Sequence, residues 1–127
     1  MKLDFLTKLQ PKIQAKHLEQ GNLAENTAAT FLQQQGLILL EKNFRCKYGE
    51  IDLVMRDGNT LVFVEVRLRS SEQFGGAGSS INHTKQQKLS RTAEYYLQTH
   101  GDNNCRFDAI LMQSTDINAV EWIKNAF

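Results

Sequence analysis

The sequence runs to 127 residues and 14.5 kDa, the size of one domain able to bury its own core. Hydrophobic residues at 41%, charged residues at 23% and a formal net charge of +1 exclude a disordered chain, a collagen-like chain and a broadly basic nucleic-acid coat. The longest apolar run, Leu37–Leu40, is too short to cross a bilayer, and Met1–Gln20 has no secretory core. A cytoplasmic protein without a membrane partner is expected, with Cys46 and Cys105 as free thiols.

Residues 1–20 read as an N-terminal extension, helical around Leu3–Leu9, interrupted at Pro11 and helical again to Gln20. The folded domain is expected over residues 21–127. Asn22-Leu-Ala-Glu25 has the form of a capping box and Gly36 supplies a stop. Asn22–Gln35 is therefore read as a helix that buries Ala24, Ala28, Phe31 and Leu32. Strands follow at Leu37–Arg45, Glu50–Arg56 and Leu61–Arg69, the last two joined across the hairpin signal Asp57-Gly58-Asn59. Ser70–Ser80 is a Gly/Ser-rich loop. Asn82–Thr99 is a second helix with Leu89, Ala93, Tyr96 and Leu97 apolar and Gly101 beyond its end. Arg106–Met112 and Val120–Ile123 are two further strands. The order α-β-β-β-α-β-β makes an α/β domain, one mixed sheet flanked by helices.

The hairpin is where chemistry enters. Side chains alternate along a strand, so Asp52 shares a face with Glu50, Val54 and Arg56, and Glu65 shares one with Leu61, Phe63, Arg67 and Arg69. An even-length loop, Asp57-Gly58 or Asp57–Thr60, brings Asp52 and Glu65 to one face; an odd loop separates them. The longer loop pairs them directly at about 4.5–5.5 Å between Cβ atoms, and the shorter makes them diagonal neighbours. Two acids that close need a cation, and Mg²⁺ or Mn²⁺ held by carboxylates while keeping waters for a phosphate suits them. Arg67 emerges on the same face as a fixed positive charge. The competing reading of this spacing is a surface hairpin with its charges turned to water, Arg67 pairing with Glu65 or Glu50. Glu25 is a third acid, either leaning over the sheet or folded back onto the Asn22 amide as a cap.

The stretch from Arg67 to Arg91 carries a net +4 directly after an acidic group, as expected where a polyanion lies beside a metal, although a solvated surface gives the same pattern. On the second helix Lys85 stands at the edge of the apolar stripe, aimed at the sheet. Lys88, Arg91 and Tyr95 form the neighbouring stripe, able to meet a phosphate backbone, with Gln86 and Gln87 adding hydrogen bonds. An ordinary solvated helix face is the alternative. No zinc spacing, nucleophile elbow or phosphate-loop motif is present. Asp108 is read as an internal salt bridge with Arg106 or Arg69 rather than as a further catalytic acid.

Gly21-Asn-Leu-Ala-Glu25-Asn-Thr-Ala, Asn43-Phe-Arg, Gly49-Glu-Ile-Asp52-Leu-Val, Phe63-Val-Glu65-Val-Arg67, Lys85-Gln86, Arg106-Phe107-Asp108 and Asn125-Ala126-Phe127 together resemble the YraN family of small bacterial proteins, from about Gly21 to Phe127. The resemblance implies the PD-(D/E)xK nuclease-like superfamily and a restriction-endonuclease-like fold, nearest in pattern to archaeal Holliday junction resolvases. By position it makes Asp52 and Glu65 ligands of Mg²⁺ or Mn²⁺, with Glu25 the assisting acid of the first helix. Arg67 occupies the usual lysine position, and Lys85 stands where some members supply that lysine from the second helix. The implied activity is metal-dependent hydrolysis of DNA, branched DNA included, with Glu25, Asp52, Glu65, Arg67 and Lys85 catalytic. Arg67, Arg69, Lys85, Gln86, Lys88 and Arg91 would contact nucleic acid. Because arginine cannot serve as a base, the same resemblance admits a non-catalytic nucleic-acid-binding module. Junction resolvases pair, which points to a homodimer.

Overall fold

The structure, a computed structural model, describes residues 11–68, 81–101 and 104–127, with residues 11–20 described by their backbone alone. The expected helix around Leu3–Leu9, Arg69 and the Ser70–Ser80 loop lie outside the described residues.

Helix α1 spans Pro11–Gln34 without a break. Pro11 is its first residue, where a missing N–H costs nothing. The helix expected to run from Pro11 to Gln20 continues without a stop into the next one, and the cap expected at Asn22 does not exist, because Gly21 and Asn22 lie inside the helix. Their helix propensities are poor by up to about 1 kcal/mol each relative to alanine. Burial of Ala24, Ala28, Ala29 and Leu32 against the sheet outweighs that local preference. Gly36 ends the helix as expected, at a φ of 99°, with the Leu37 N–H donating back to the Leu32 carbonyl at 3.0 Å.

Five strands form one sheet in chain order: β1 (Ile38–Cys46), β2 (Gly49–Asp57), β3 (Thr60–Leu68), β4 (Cys105–Met112) and β5 (Val120–Ile123). All neighbours are antiparallel except β3 and β4, which run parallel. Parallel pairing needs a crossover, and helix α2 (His83–His100) provides it. Asn82 caps α2, its side chain accepting the Lys85 N–H at 2.9 Å. This is the mixed α/β architecture expected from the element order.

The sheet is covered on both sides. On one, Leu53, Met55, Val62, Val64, Ile110 and Met112 pack against α1. On the other, Phe44, Val54, Leu61, Phe63 and Ala109 pack against Leu89, Ala93 and Tyr96 of α2. Asp108 is fully buried beneath β5 and takes the salt bridge read from the sequence, with Arg106 Nε at 3.0 Å. No described helix is long and apolar enough to cross a membrane.

Candidate functional site

The site is built where a ladder stops. β2 and β3 pair from Asp57↔Thr60 to Leu53↔Val64 around the two-residue turn Gly58-Asn59. Gly58 takes a φ of 61°, which glycine adopts freely. Continuing that register sets Asp52 opposite Glu65, the direct pairing expected of the Asp57–Thr60 connection. The pairing ends one step short of them. Across the other edge of β2, the register passes from Lys42↔Leu53 to Phe44↔Ile51 and skips Asn43 and Asp52. Asn43 there holds a left-handed φ of 53°, tolerated by asparagine better than by most side chains.

Simple alternation consequently fails at Asp52. Ile51, which alternation would place with Leu53, packs instead in the α2-side core with Val54. The Asp52 carboxylate turns into the opening between the strands and accepts the Val66 N–H at 2.8 Å, replacing a bond the ladder no longer supplies.

Glu65 is buried at 6% exposure, which removes the reading of a hairpin with its charges in water. Its Oε2 accepts from Arg67 Nη2 at 3.0 Å and from Lys85 Nζ, on the first turn of α2, at 3.1 Å. The Asp52 and Glu65 carboxyl groups lie within hydrogen-bonding reach of each other. Burial, then the hydrogen bond with Glu65 and the charge of Glu65, push the Asp52 carboxyl up to about 9, with the Val66 N–H pulling the other way. At neutral pH, with no cation in the cleft, Asp52 therefore keeps its proton.

Glu25 reaches the same cleft from α1 rather than closing a cap. Burial raises its pKa, the Asn43 side chain offsets part of that, and the charge of Glu50 adds to it. Glu25 in turn helps to raise Asp52. The cleft, of about 620 Å³, is lined by Glu25, Asp52, Glu65, Arg67, Lys85 and Lys88 among others.

Two expected members stand elsewhere. Gln86 donates its amide to the Ile81 carbonyl, and it lines a separate groove with Arg91 beside Phe107 and Phe127. Successive helix positions are 100° apart, and that rotation turns them away from the face Lys85 and Lys88 share. Among the described residues no three His, Cys, Asp or Glu side chains gather into one ion-holding group; Asp52 and Glu65 form a pair, and Glu25 stands off on α1. A pair suffices for a cation such as Mg²⁺, which takes one or two carboxylates and keeps its waters. A buried carboxylate and a half-buried one, lining one cleft with a single backbone N–H between them and the solvent side open, fit a place that a cation would fill.

Two contributors escape the sequence reading. Asn43 shapes the gap and touches Glu25, and its only local signal is that asparagine tolerates a left-handed backbone. Gly49, at a φ of 151°, lets β2 pass close to α2, since a Cβ there would meet Thr92 Oγ1 at 3.2 Å. A glycine opening a strand is a general sign of such close approach.

The family model described as uncharacterised protein family UPF0102 matches residues 24–112. A UPF0102 protein of Nitrosomonas europaea is 60% identical over 108 residues, covering 84% of this chain and 92% of the relative. One from Methylobacillus flagellatus is 54% identical over 107 residues, covering 84% and 95%, and one from Psychromonas ingrahamii is 49% identical over 121 residues, covering 94% and 98%. Every described cleft residue that bears a charge falls inside the matched span.

Proposed function

The chain belongs to the UPF0102 family, and from the cleft we propose that it is a divalent-metal-dependent endonuclease that hydrolyses DNA phosphodiesters, branched DNA included. The observation that carries this reading is the meeting of Asp52 and Glu65 in one cleft, with Arg67 and Lys85 both on Glu65. Asp52 and Glu65 would hold Mg²⁺ or Mn²⁺, which when bound polarises a phosphate oxygen and acidifies a water. The chain's own side chains do the remainder. Arg67 and Lys85 neutralise charge growing on the phosphoryl oxygens as water's oxygen attacks phosphorus and the bond to the leaving oxygen breaks. Lys85 thereby supplies from α2 the amine that Arg67 does not. Lys88, on the same helix face, steadies the adjoining backbone phosphate. Glu25, whose pKa burial has raised, takes up the attacking water's proton through a second water, and the departing oxygen takes a proton from solvent.

Linear, single-stranded, flapped and four-way-junction DNA incubated with Mg²⁺ or Mn²⁺ beside an Asp52→Asn control tests this. Cleavage that needs the metal and vanishes in the control is the expected result. Arg67 in place of a lysine favours a second reading, a binding module without catalysis. Its signature is salt-sensitive binding, unchanged in Asp52→Asn and with no cleavage. That outcome would overturn the enzyme.

A further inference from the structure

Two of the cleft's cationic side chains, Arg67 and Lys85, sit on a single oxygen. Arg67 Nη2 and Lys85 Nζ approach Glu65 Oε2 at 3.0 and 3.1 Å, and Glu65 is itself buried. Arg67 Nε is also buried and has no acceptor among the described residues. A buried N–H without a partner is costly, and this one belongs to the side chain that borders the cleft. The donors are in place, but one acceptor is missing.

We propose that Arg67 and Lys85 act as a displaceable cover on Glu65, that the phosphodiester is the ligand that draws them off, and that nucleic acid and divalent cation therefore bind cooperatively. This rests on the reading of the cleft as a metal- and phosphate-handling site. A divalent ion coordinated by a carboxylate oxygen sits about 2.0–2.1 Å from it. Two cationic nitrogens already within about 3 Å of that oxygen repel such an ion and must turn aside. In the free protein Lys85, which is 37% exposed, can turn only to water, and the largely enclosed Arg67 has less room still, so the cation competes with them and binds weakly. A phosphate oxygen offers each of them a new acceptor, and it also satisfies Arg67 Nε. Each ligand thus removes an obstacle to the other, and the effect is reciprocal by linkage.

Mn²⁺ titrations followed by the loss of the free-ion electron paramagnetic resonance signal test this. They are run with and without a short DNA duplex on the wild type, Lys85→Met and Asp52→Asn, the last giving the background from ion bound to DNA alone. DNA is expected to tighten wild-type Mn²⁺ binding about tenfold, within the usual range of coupling. Lys85→Met, with the cover half removed, is expected to bind Mn²⁺ several-fold tighter than wild type without DNA and to gain less from DNA. Circular dichroism confirms that each variant folds. Wild-type binding that needs Asp52 but ignores DNA overturns the coupling and leaves the metal site standing. Weaker Mn²⁺ binding by Lys85→Met without DNA overturns it as well. Equal binding by wild type and Asp52→Asn removes the metal site itself, and with it the proposed function.

Discussion

Asp108 on β4 and Asp52 on β2 are carboxylates withdrawn from water in the same sheet, and their surroundings oppose one another. Asp108 receives Arg106 Nε at 3.0 and 3.2 Å, Trp122 Nε1 at 2.9 Å and the Asn125 N–H at 3.0 Å. Arg106 is shared with Asp57 next to the hairpin turn, so this node ties β2, β4, β5 and the end of the chain together. Asp52 receives one N–H, from Val66, and otherwise faces a second acid. Buried carboxylates that serve the fold are supplied with donors; a group left short and strongly perturbed in a cleft marks a place built for a ligand.

Truncating the well-supplied group gives the largest effect. Asp108→Ala leaves Arg106 Nε, an indole N–H and a backbone N–H without their acceptor, while Arg106 keeps its second partner Asp57. A loss of about 3–5 kcal/mol is expected in urea unfolding, since each donor deprived of a charged acceptor in the interior costs about 1–3 kcal/mol. Asp52→Asn is expected to do the reverse. The amide keeps the Val66 bond, donates to Glu65 and removes a buried acid, so the metal-free protein should gain about 1–3 kcal/mol near pH 7.5. The sign follows from linkage. Asp52 titrates near 4 in the unfolded chain and at about 9 in the folded one, so the native state holds an extra proton between those values. Its contribution is fully present below the unfolded value and is lost as pH rises through about 9. Wild-type stability should fall with alkaline pH, and the advantage of Asp52→Asn should widen. A destabilised Asp52→Asn would erase the contrast between the two carboxylates.

The cation supplies the third test. Mg²⁺ at ten times its dissociation constant is expected to stabilise the wild type by about 1.4 kcal/mol in thermal melts, because it binds only the folded site. Asp52→Asn should show no such shift.

How far this contrast can be read from sequence depends on the range of the forces involved. The meeting of Asp52 and Glu65 is legible because their cross-strand register follows from the local turn at Gly58-Asn59. Lys85 is legible because a cap at Asn82 fixes the start of α2 and hence its faces. The interruption at Asn43 and Asp52 is not, since it depends on contacts across three strands and α1. Nor is the continuity of α1, where burial of Ala24 and Ala28 overrides the local vote of Gly21-Asn22. Here too a sign decides. A cap would make Asn22→Ala destabilising by about 1 kcal/mol, whereas a residue inside a helix should gain about 0.5 kcal/mol in the same substitution.

The smallest effect belongs to a carboxylate of a third kind. Glu50 pairs with Arg45 Nε at 2.9 Å, as close as any contact made by Asp108, but the two side chains are 54% and 73% exposed. Water already solvates both ions well, and holding two long side chains in register costs entropy. Glu50→Gln should therefore change stability by no more than about 0.5 kcal/mol, and added salt should shrink even that. Distance is the same at Asp108 and Glu50, so a comparison of the two substitutions isolates the surroundings. Were Glu50→Gln to cost as much as Asp108→Ala, the supply of donors around a carboxylate would not be what sets its value, and the distinction between Asp108 and Asp52 would lose its physical basis.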